Sequence, residues 1–146
     1  MTMDTIREDF ALLDDWEDRY RYIIELGRAL PPMPDTLKNE TTKVRGCASQ
    51  VWLTTKTGPI SDDGSPALTF QGDSDAHIVR GLVAILLEIY KGRSAFEIAS
   101  YDPAPDFESI GLKDHLTPQR SNGLASMVAR LGSDARAAMA SAINQT

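Results

Sequence analysis

The chemistry of this sequence centres on one side chain. Cys47 is the only cysteine among 146 residues, and it lies in the run Lys43-Val44-Arg45-Gly46-Cys47-Ala48-Ser49. Glycine adopts backbone conformations that other residues avoid, so Gly46 predicts a tight loop that presents Cys47 to a partner. The positive charge of Arg45 nearby would favour the thiolate, which is the nucleophilic form of cysteine. The same residues also fit an inert cysteine that packs as a small apolar side chain.

A lone thiolate is compatible with two kinds of reaction. It can attack the outer sulfur of a persulfide on another protein and accept one sulfur atom, which needs no metal and no second cysteine. It can also be the nucleophile of an independent hydrolase or transferase, with His77 or His115 as the base. A third interpretation is a binding module with an inert cysteine. One cysteine and two histidines are too few for ordinary zinc or four-cysteine iron–sulfur sites, so we expect no metal and no cofactor.

The composition excludes some classes of binding partner. The chain has 15 Lys and Arg against 21 Asp and Glu, a formal net charge of −6. An acidic protein does not attract phosphate backbones, so we expect no nucleic-acid partner. No apolar run is long enough to span a bilayer, and residues 1–10 lack the apolar core of a signal peptide. We therefore expect no membrane association, and the single cysteine indicates a reducing, cytoplasmic location.

The segments before the cysteine are predicted to be mainly helical. Residues 4–14 fit a short helix, and a stronger helix follows the pair Asp14-Asp15. Apolar side chains from Trp16 to Gly27 recur at three- and four-residue spacing, which indicates a face turned to the core. The prolines from Pro31 end that helix. The polar segment 39–46 is predicted to be a short edge strand.

After the cysteine the pattern changes to strands and then to helices. Residues 50–57 and 67–72 predict an antiparallel hairpin. Gly72-Asp73-Ser74-Asp75 is predicted to start a mostly apolar, buried helix over 75–90. A final helix follows Pro118, with a break predicted near Gly132. The expected fold is α+β, one domain over 1–146, with a small antiparallel sheet packed by N- and C-terminal helices.

Short blocks in a fixed order carry a family resemblance. They are Asp15-Trp16-Glu17, Ile24-Glu25-Leu26-Gly27, Val44-Arg45-Gly46-Cys47, Gly72-Asp73-Ser74-Asp75-Ala76, Leu116-Thr117-Pro118 and Arg120-Ser121-Asn122-Gly123-Leu124. In this combination the chain resembles the SufE family, sulfur-acceptor proteins that work with SufS-type cysteine desulfurases in iron–sulfur cluster assembly. The family fold, which is similar to IscU-type scaffolds, agrees with the helix–sheet–helix order.

The resemblance implies a role for several residues. Cys47 takes sulfur as a persulfide from a PLP-dependent desulfurase of SufS type or the related CsdA type, stimulates that enzyme, and passes the sulfur to a SufBCD-type scaffold. Asp75 belongs to a segment that helps to hold the cysteine loop, Arg120 belongs to a partner-facing segment, and Arg45 and Gly46 flank the thiol. From the residues alone, Asp75 is equally an acid of a helix first turn, and Arg120 a member of a surface ion pair.

Overall fold

The computed structural model describes residues 2–144, apart from the side chains of residues 113, 143 and 144. Six helices, two strands and two short 3-10 turns make up this part of the chain. They are α1 (Met3–Leu12), α2 (Trp16–Ala29), the turn Asp35–Leu37, β1 (Val51–Ile60), β2 (Pro66–Ser74), α3 (His77–Tyr90), α4 (Ala95–Ser100), α5 (Ala104–Ser109), the turn Lys113–His115 and α6 (Pro118–Asn144).

The two strands form an antiparallel hairpin, which confirms the predicted α+β class. Both strands are longer than predicted. The segment 72–75 was expected to start a helix, and this is wrong, because Leu53 pairs with Gly72 and Val51 pairs with Ser74 in the ladder. Helix α3 begins only at His77, without a side-chain cap. Strand pairing has therefore outweighed the small polar residues that favour a helix start.

The predicted edge strand over 39–46 is reduced to one bridge between Lys43 and Trp52. On one side of that bridge, the Leu53 amide donates to the Thr42 carbonyl at 2.8 Å. Residues 39–42 form a turn. The chain that leads to the cysteine therefore lies along the outer edge of β1 for a few residues only.

Helix α3 is the centre of the core, as its apolar sequence predicts. Its buried side chains include Leu82, Val83 and Leu86. Helix α2 crosses it where two glycines meet, and a Cβ placed on Gly81 would lie 2.1 Å from the Ile23 carbonyl oxygen. The backbones can approach so closely only because glycine stands there.

Helix α6 is continuous from Pro118 to Asn144, so the predicted break at Gly132 is wrong. Leu131 and Ala135 on either side of that glycine are buried, and this packing keeps the helix unbroken. At its start the Thr117 hydroxyl accepts a hydrogen bond from the Arg120 amide at 3.2 Å, as expected for a cap. Over residues 2–144, no helix is both long and apolar enough to cross a membrane.

Candidate functional site: the cysteine loop

The cysteine loop, residues 45–49, is fastened to the hairpin at both ends. Before the loop, the Val44 amide donates to the Val51 carbonyl at 2.8 Å. After it, the Gln50 amide donates to a carboxylate oxygen of Asp75 at 3.0 Å. The cysteine loop therefore projects from the chain just before β1, and hydrogen bonds fix both ends of the loop.

Asp75 lies at the second of these anchors, in the linker between β2 and α3. Its own amide donates to the Gln50 carbonyl at 3.2 Å, and the Ser74 hydroxyl donates to the same carbonyl at 2.7 Å. Because α3 begins two residues later, the interpretation of Asp75 as an acid of a helix first turn is wrong. Asp75 instead contacts the end of the cysteine loop.

Helix α6 holds the chain just before the loop. The Arg130 guanidinium donates to the Thr41 carbonyl at 2.5 Å and to the Lys43 carbonyl at 3.3 Å. It also pairs with Asp134 at 3.1 Å, and Asp134 accepts a hydrogen bond from the Thr55 hydroxyl at 2.7 Å. Sequence reasoning missed this clamp. The only signal was an Arg and an Asp four residues apart on a helix, which is typical of an ordinary surface pair.

The tip of the loop rests on the first turns of α6. Gly46 has a φ of +93°, which confirms the predicted tight loop, and a Cβ there would lie 2.5 Å from the Ser126 hydroxyl oxygen. The Cys47 thiol is half-buried and donates to the Gly123 carbonyl with Sγ at 3.5 Å. The loop therefore stores the thiol against the helix.

A cavity of about 200 Å³, partly open to solvent, lies beside the thiol. Apolar side chains of α3 and α6 form one part of its wall, and the first residues of α6 add polar groups. Its lining residues besides Cys47 are Ala48, Ser49, Val79, Leu82, Thr117, Gln119, Arg120, Gly123 and Met127. The structure thus brings Arg120 to the same cavity as the sole cysteine, although the two residues are 73 positions apart in the sequence.

In this position the thiol is held in its neutral form. Burial raises the pKa of Cys47, because a charged thiolate loses solvation there. Donation of the S–H to a carbonyl oxygen also favours the neutral thiol. Arg45 does not stabilise the thiolate here, because its side chain is 80% exposed and pairs with Glu40 at 3.3 Å. For this position of the loop, the prediction that Arg45 favours the thiolate is wrong.

The two histidines lie elsewhere. The ring of His115 stacks on Trp16 with centroids 3.6 Å apart, and His77 is an exposed first residue of α3. Neither is among the described residues that line the cavity. The geometry therefore gives no support to a cysteine hydrolase with one of them as its base.

The fold and the site define an α+β protein with a single stored thiol on a loop anchored at both ends. A family model described as "SufE: Fe-S metabolism associated domain" matches residues 4–135, and the chain belongs to the SufE family. The family resemblance drawn from the sequence blocks is thereby confirmed.

Similar proteins agree with this assignment. The chain is 55% identical over 134 residues to an uncharacterized SufE-like protein of Rhizobium meliloti (strain 1021), covering 92% of this chain and 94% of that one. It is 40% identical over 124 residues to the sulfur acceptor protein CsdE of Escherichia coli (strain K12), covering 85% and 81%. The solution structure of a hypothetical protein from Thermus thermophilus has the same fold, with a TM-score of 0.69 and 22% identity over 96% of this chain and 99% of that one.

Proposed function

We propose that this protein accepts sulfur on Cys47 from a PLP-dependent cysteine desulfurase. The observation that carries the proposal is the position of the sole thiol, at the tip of a loop that is anchored at both ends and otherwise only rests on α6. Membership of a family associated with Fe–S metabolism supports it, and so does the name of the E. coli relative, a sulfur acceptor protein.

The transfer needs a thiolate and an in-line approach. The Cys47 thiolate attacks the outer sulfur of the donor's persulfide, the donor's S–S bond breaks, and the donor leaves as a thiolate while Cys47 carries the sulfur as a persulfide. In the resting loop Sγ faces the Gly123 carbonyl, so the tip has to turn outward while Val44 and Gln50 keep their contacts. Clearing the donor's cysteine would in turn stimulate the desulfurase.

We propose a SufS-type enzyme as the donor and a SufBCD-type scaffold complex as the onward acceptor. A CsdA-type enzyme is the alternative donor, and the 40% identity to CsdE makes it necessary to test both. A cytoplasmic location stays a prediction that rests on the single cysteine.

The test is an intact-mass measurement after incubation with each desulfurase and L-cysteine. We expect the chain to gain the mass of one sulfur atom, to lose it on treatment with a reductant, and to raise the rate of alanine release. Cys47→Ser is the matched control: it should still bind the desulfurase in a pull-down but neither gain mass nor stimulate. The absence of any mass gain with both enzymes would reject the proposal.

A further inference from the structure

Arg120 differs from the other arginines in the described structure. Each of the others forms a side-chain hydrogen bond or ion pair, for example Arg130 with Asp134 and Arg136 with the Ala99 carbonyl. Over residues 2–144 the guanidinium of Arg120 has no such partner, although the residue is half-buried against the cavity. The surface ion pair considered for Arg120 from the sequence is therefore wrong.

The other charged groups near the thiol are paired or do not line the cavity. Within the loop, Arg45 pairs with Glu40, and at the loop's end Asp75 accepts the Gln50 amide. The α3 residues that line the cavity are apolar, and the neighbouring Arg80 on that helix pairs with Asp73 at 2.9 Å. At the clamp before the loop, Asp134 pairs with Arg130. Lys43 contacts Arg130 through its backbone carbonyl, and it is not among the described residues that line the cavity. Among the lining residues, Arg120 is thus the single charged group.

The neutral thiol does not supply the missing counter-charge, but a persulfide would. The outer sulfur of a persulfide is more acidic than a thiol, because the adjacent sulfur stabilises the anion. The S–S bond of about 2.05 Å carries that outer sulfur beyond Sγ. The Gly123 carbonyl, which accepts the thiol proton in the resting state, would repel an anion. The space that remains is the cavity beside Arg120.

We propose that Arg120 is the counter-ion that holds the outer sulfur of the Cys47 persulfide in the loaded protein. This rests on the proposed function, since it concerns the product of the sulfur transfer. After transfer, the persulfide S–H releases its proton to solvent, and the anion pairs with the guanidinium inside the cavity. No oxidant or further reactant is required. Retention of the charge is what matters, so lysine should replace Arg120 in part and a neutral residue should not.

The test loads Cys47 chemically, so that no desulfurase is needed. Inorganic polysulfide transfers one sulfur atom to the Cys47 thiolate and leaves one sulfur shorter. The loaded protein is then alkylated with iodoacetamide over a range of pH, and intact mass separates alkylated persulfide from alkylated thiol. We expect Arg120→Gln to move the midpoint of the persulfide profile to higher pH by about 1 pH unit, the low end for losing a nearby opposite charge.

Two further variants make the result specific. Arg120→Lys should have a midpoint between those of the wild type and Arg120→Gln. Arg136→Gln, the same change on the outer part of the same helix, should leave the profile unchanged. A change that acted only through folding would alter the melting temperature without moving the midpoint in this ordered way. Should Arg120→Gln fail to fold, Arg120→Met provides the neutral side chain.

The inference is overturned if the Arg120→Gln profile superimposes on the wild-type profile or moves to lower pH. Its failure is distinguishable from that of the proposed function. Loading by desulfurase with an unchanged profile rejects the role of Arg120 alone. Loading by polysulfide but by neither desulfurase rejects the proposed donor, while the profile still decides the role of Arg120.

Discussion

The Cys47 thiol is stored in an unreactive form. Burial raises its pKa, and the contact with the Gly123 carbonyl occupies its proton. Because only the thiolate attacks, and a raised pKa leaves less thiolate at neutral pH, the resting protein should react slowly with other electrophiles. The fold thus shields the thiol in this position of the loop.

This protection predicts the pH dependence of thiol alkylation without a partner. The iodoacetamide reaction of Cys47 should have its midpoint above about 8.5, the ordinary cysteine value, because burial penalises the charged form. Intact mass gives the rate at each pH, and a single cysteine makes the reading unambiguous. The control is the same protein in guanidinium chloride, where the midpoint should fall to the ordinary value. A midpoint for the folded protein at or below that of the unfolded control would contradict the view that burial suppresses the thiolate.

At the residue scale, sequence could identify the chemistry but not its surroundings. Cys47 and Gly46 were found because a lone nucleophile and a left-handed turn leave direct marks in a sequence. The effect of Arg45 was misjudged, since the direction of an exposed side chain depends on its partner Glu40. The Arg130 clamp was missed because it binds backbone carbonyls, which have no sequence signature.

Among the elements, the loop depends on the close contact between Gly46 and α6. Gly46→Ala should lift the tip from the helix, because its Cβ would lie 2.5 Å from the Ser126 hydroxyl and its φ of +93° disfavours a side chain by roughly 1–2 kcal/mol. We expect several-fold faster alkylation of Cys47 at fixed pH. Gly64→Ala is the matched control, with a φ of +84° and open space around it.

Gly64 lies in the turn at the far end of the hairpin from the cysteine loop, so Gly64→Ala should alkylate at the wild-type rate. An equal rate for Gly46→Ala would contradict the role of the Gly46 contact with α6. Slower alkylation of Gly46→Ala would contradict the described loop position directly.

The crossing of α2 and α3 gives a second prediction for the elements. Gly81→Ala should destabilise the protein by about 2–3 kcal/mol, because the added Cβ would lie 2.1 Å from the Ile23 carbonyl and the helices would have to separate. Gly132→Ala in α6 meets only the flexible Arg136 guanidinium at 3.4 Å and should stabilise by about 0.5–1 kcal/mol. Urea unfolding measures both. A Gly81→Ala variant as stable as the wild type, or more stable, would contradict the close crossing.

Sequence predicted the elements better than their ends. The apolar run of α3 and the hairpin were recognisable because their periodicity reflects burial. The segment 72–75 was misassigned because small polar residues and acids suit a helix start, whereas its pairing with 51–53 depends on contacts across the chain. The break at Gly132 was overestimated, since a glycine in a helix costs only about 1 kcal/mol and buried neighbours offset it.

At the scale of the whole molecule, Asp73 connects structural elements that lie far apart in the sequence. This buried residue of β2 accepts the Met33 amide at 3.0 Å and pairs with Arg80 of α3 at 2.9 Å and with Lys38 at 3.4 Å. The strand, the central helix and the proline-rich linker after α2 thus meet at one carboxylate. Asp73 directly precedes Ser74, whose hydroxyl donates to the Gln50 carbonyl at the end of the cysteine loop. The position of that end of the loop therefore depends on Asp73.

Burial alone would raise the pKa of Asp73, but the amides of Met33 and Ser74 and the two cations outweigh it, so the folded pKa lies below the ordinary value. Asp73→Asn should therefore destabilise the protein by about 2 kcal/mol at pH 7, since it leaves Arg80 and Lys38 without their shared counter-charge.

The pH dependence separates this charge effect from a change in packing. A carboxylate with a depressed folded pKa contributes its full stability above the unfolded value of about 3.9 and loses it as pH falls through the folded pKa. The difference between Asp73→Asn and wild type should therefore shrink below about pH 3.9, as urea unfolding at several pH values would show. Asp35→Asn, which removes a fully exposed partner of the same Lys38, should have no measurable effect at any pH. A difference for Asp73→Asn that stayed constant down to low pH would mean that shape, and not charge, holds this junction together.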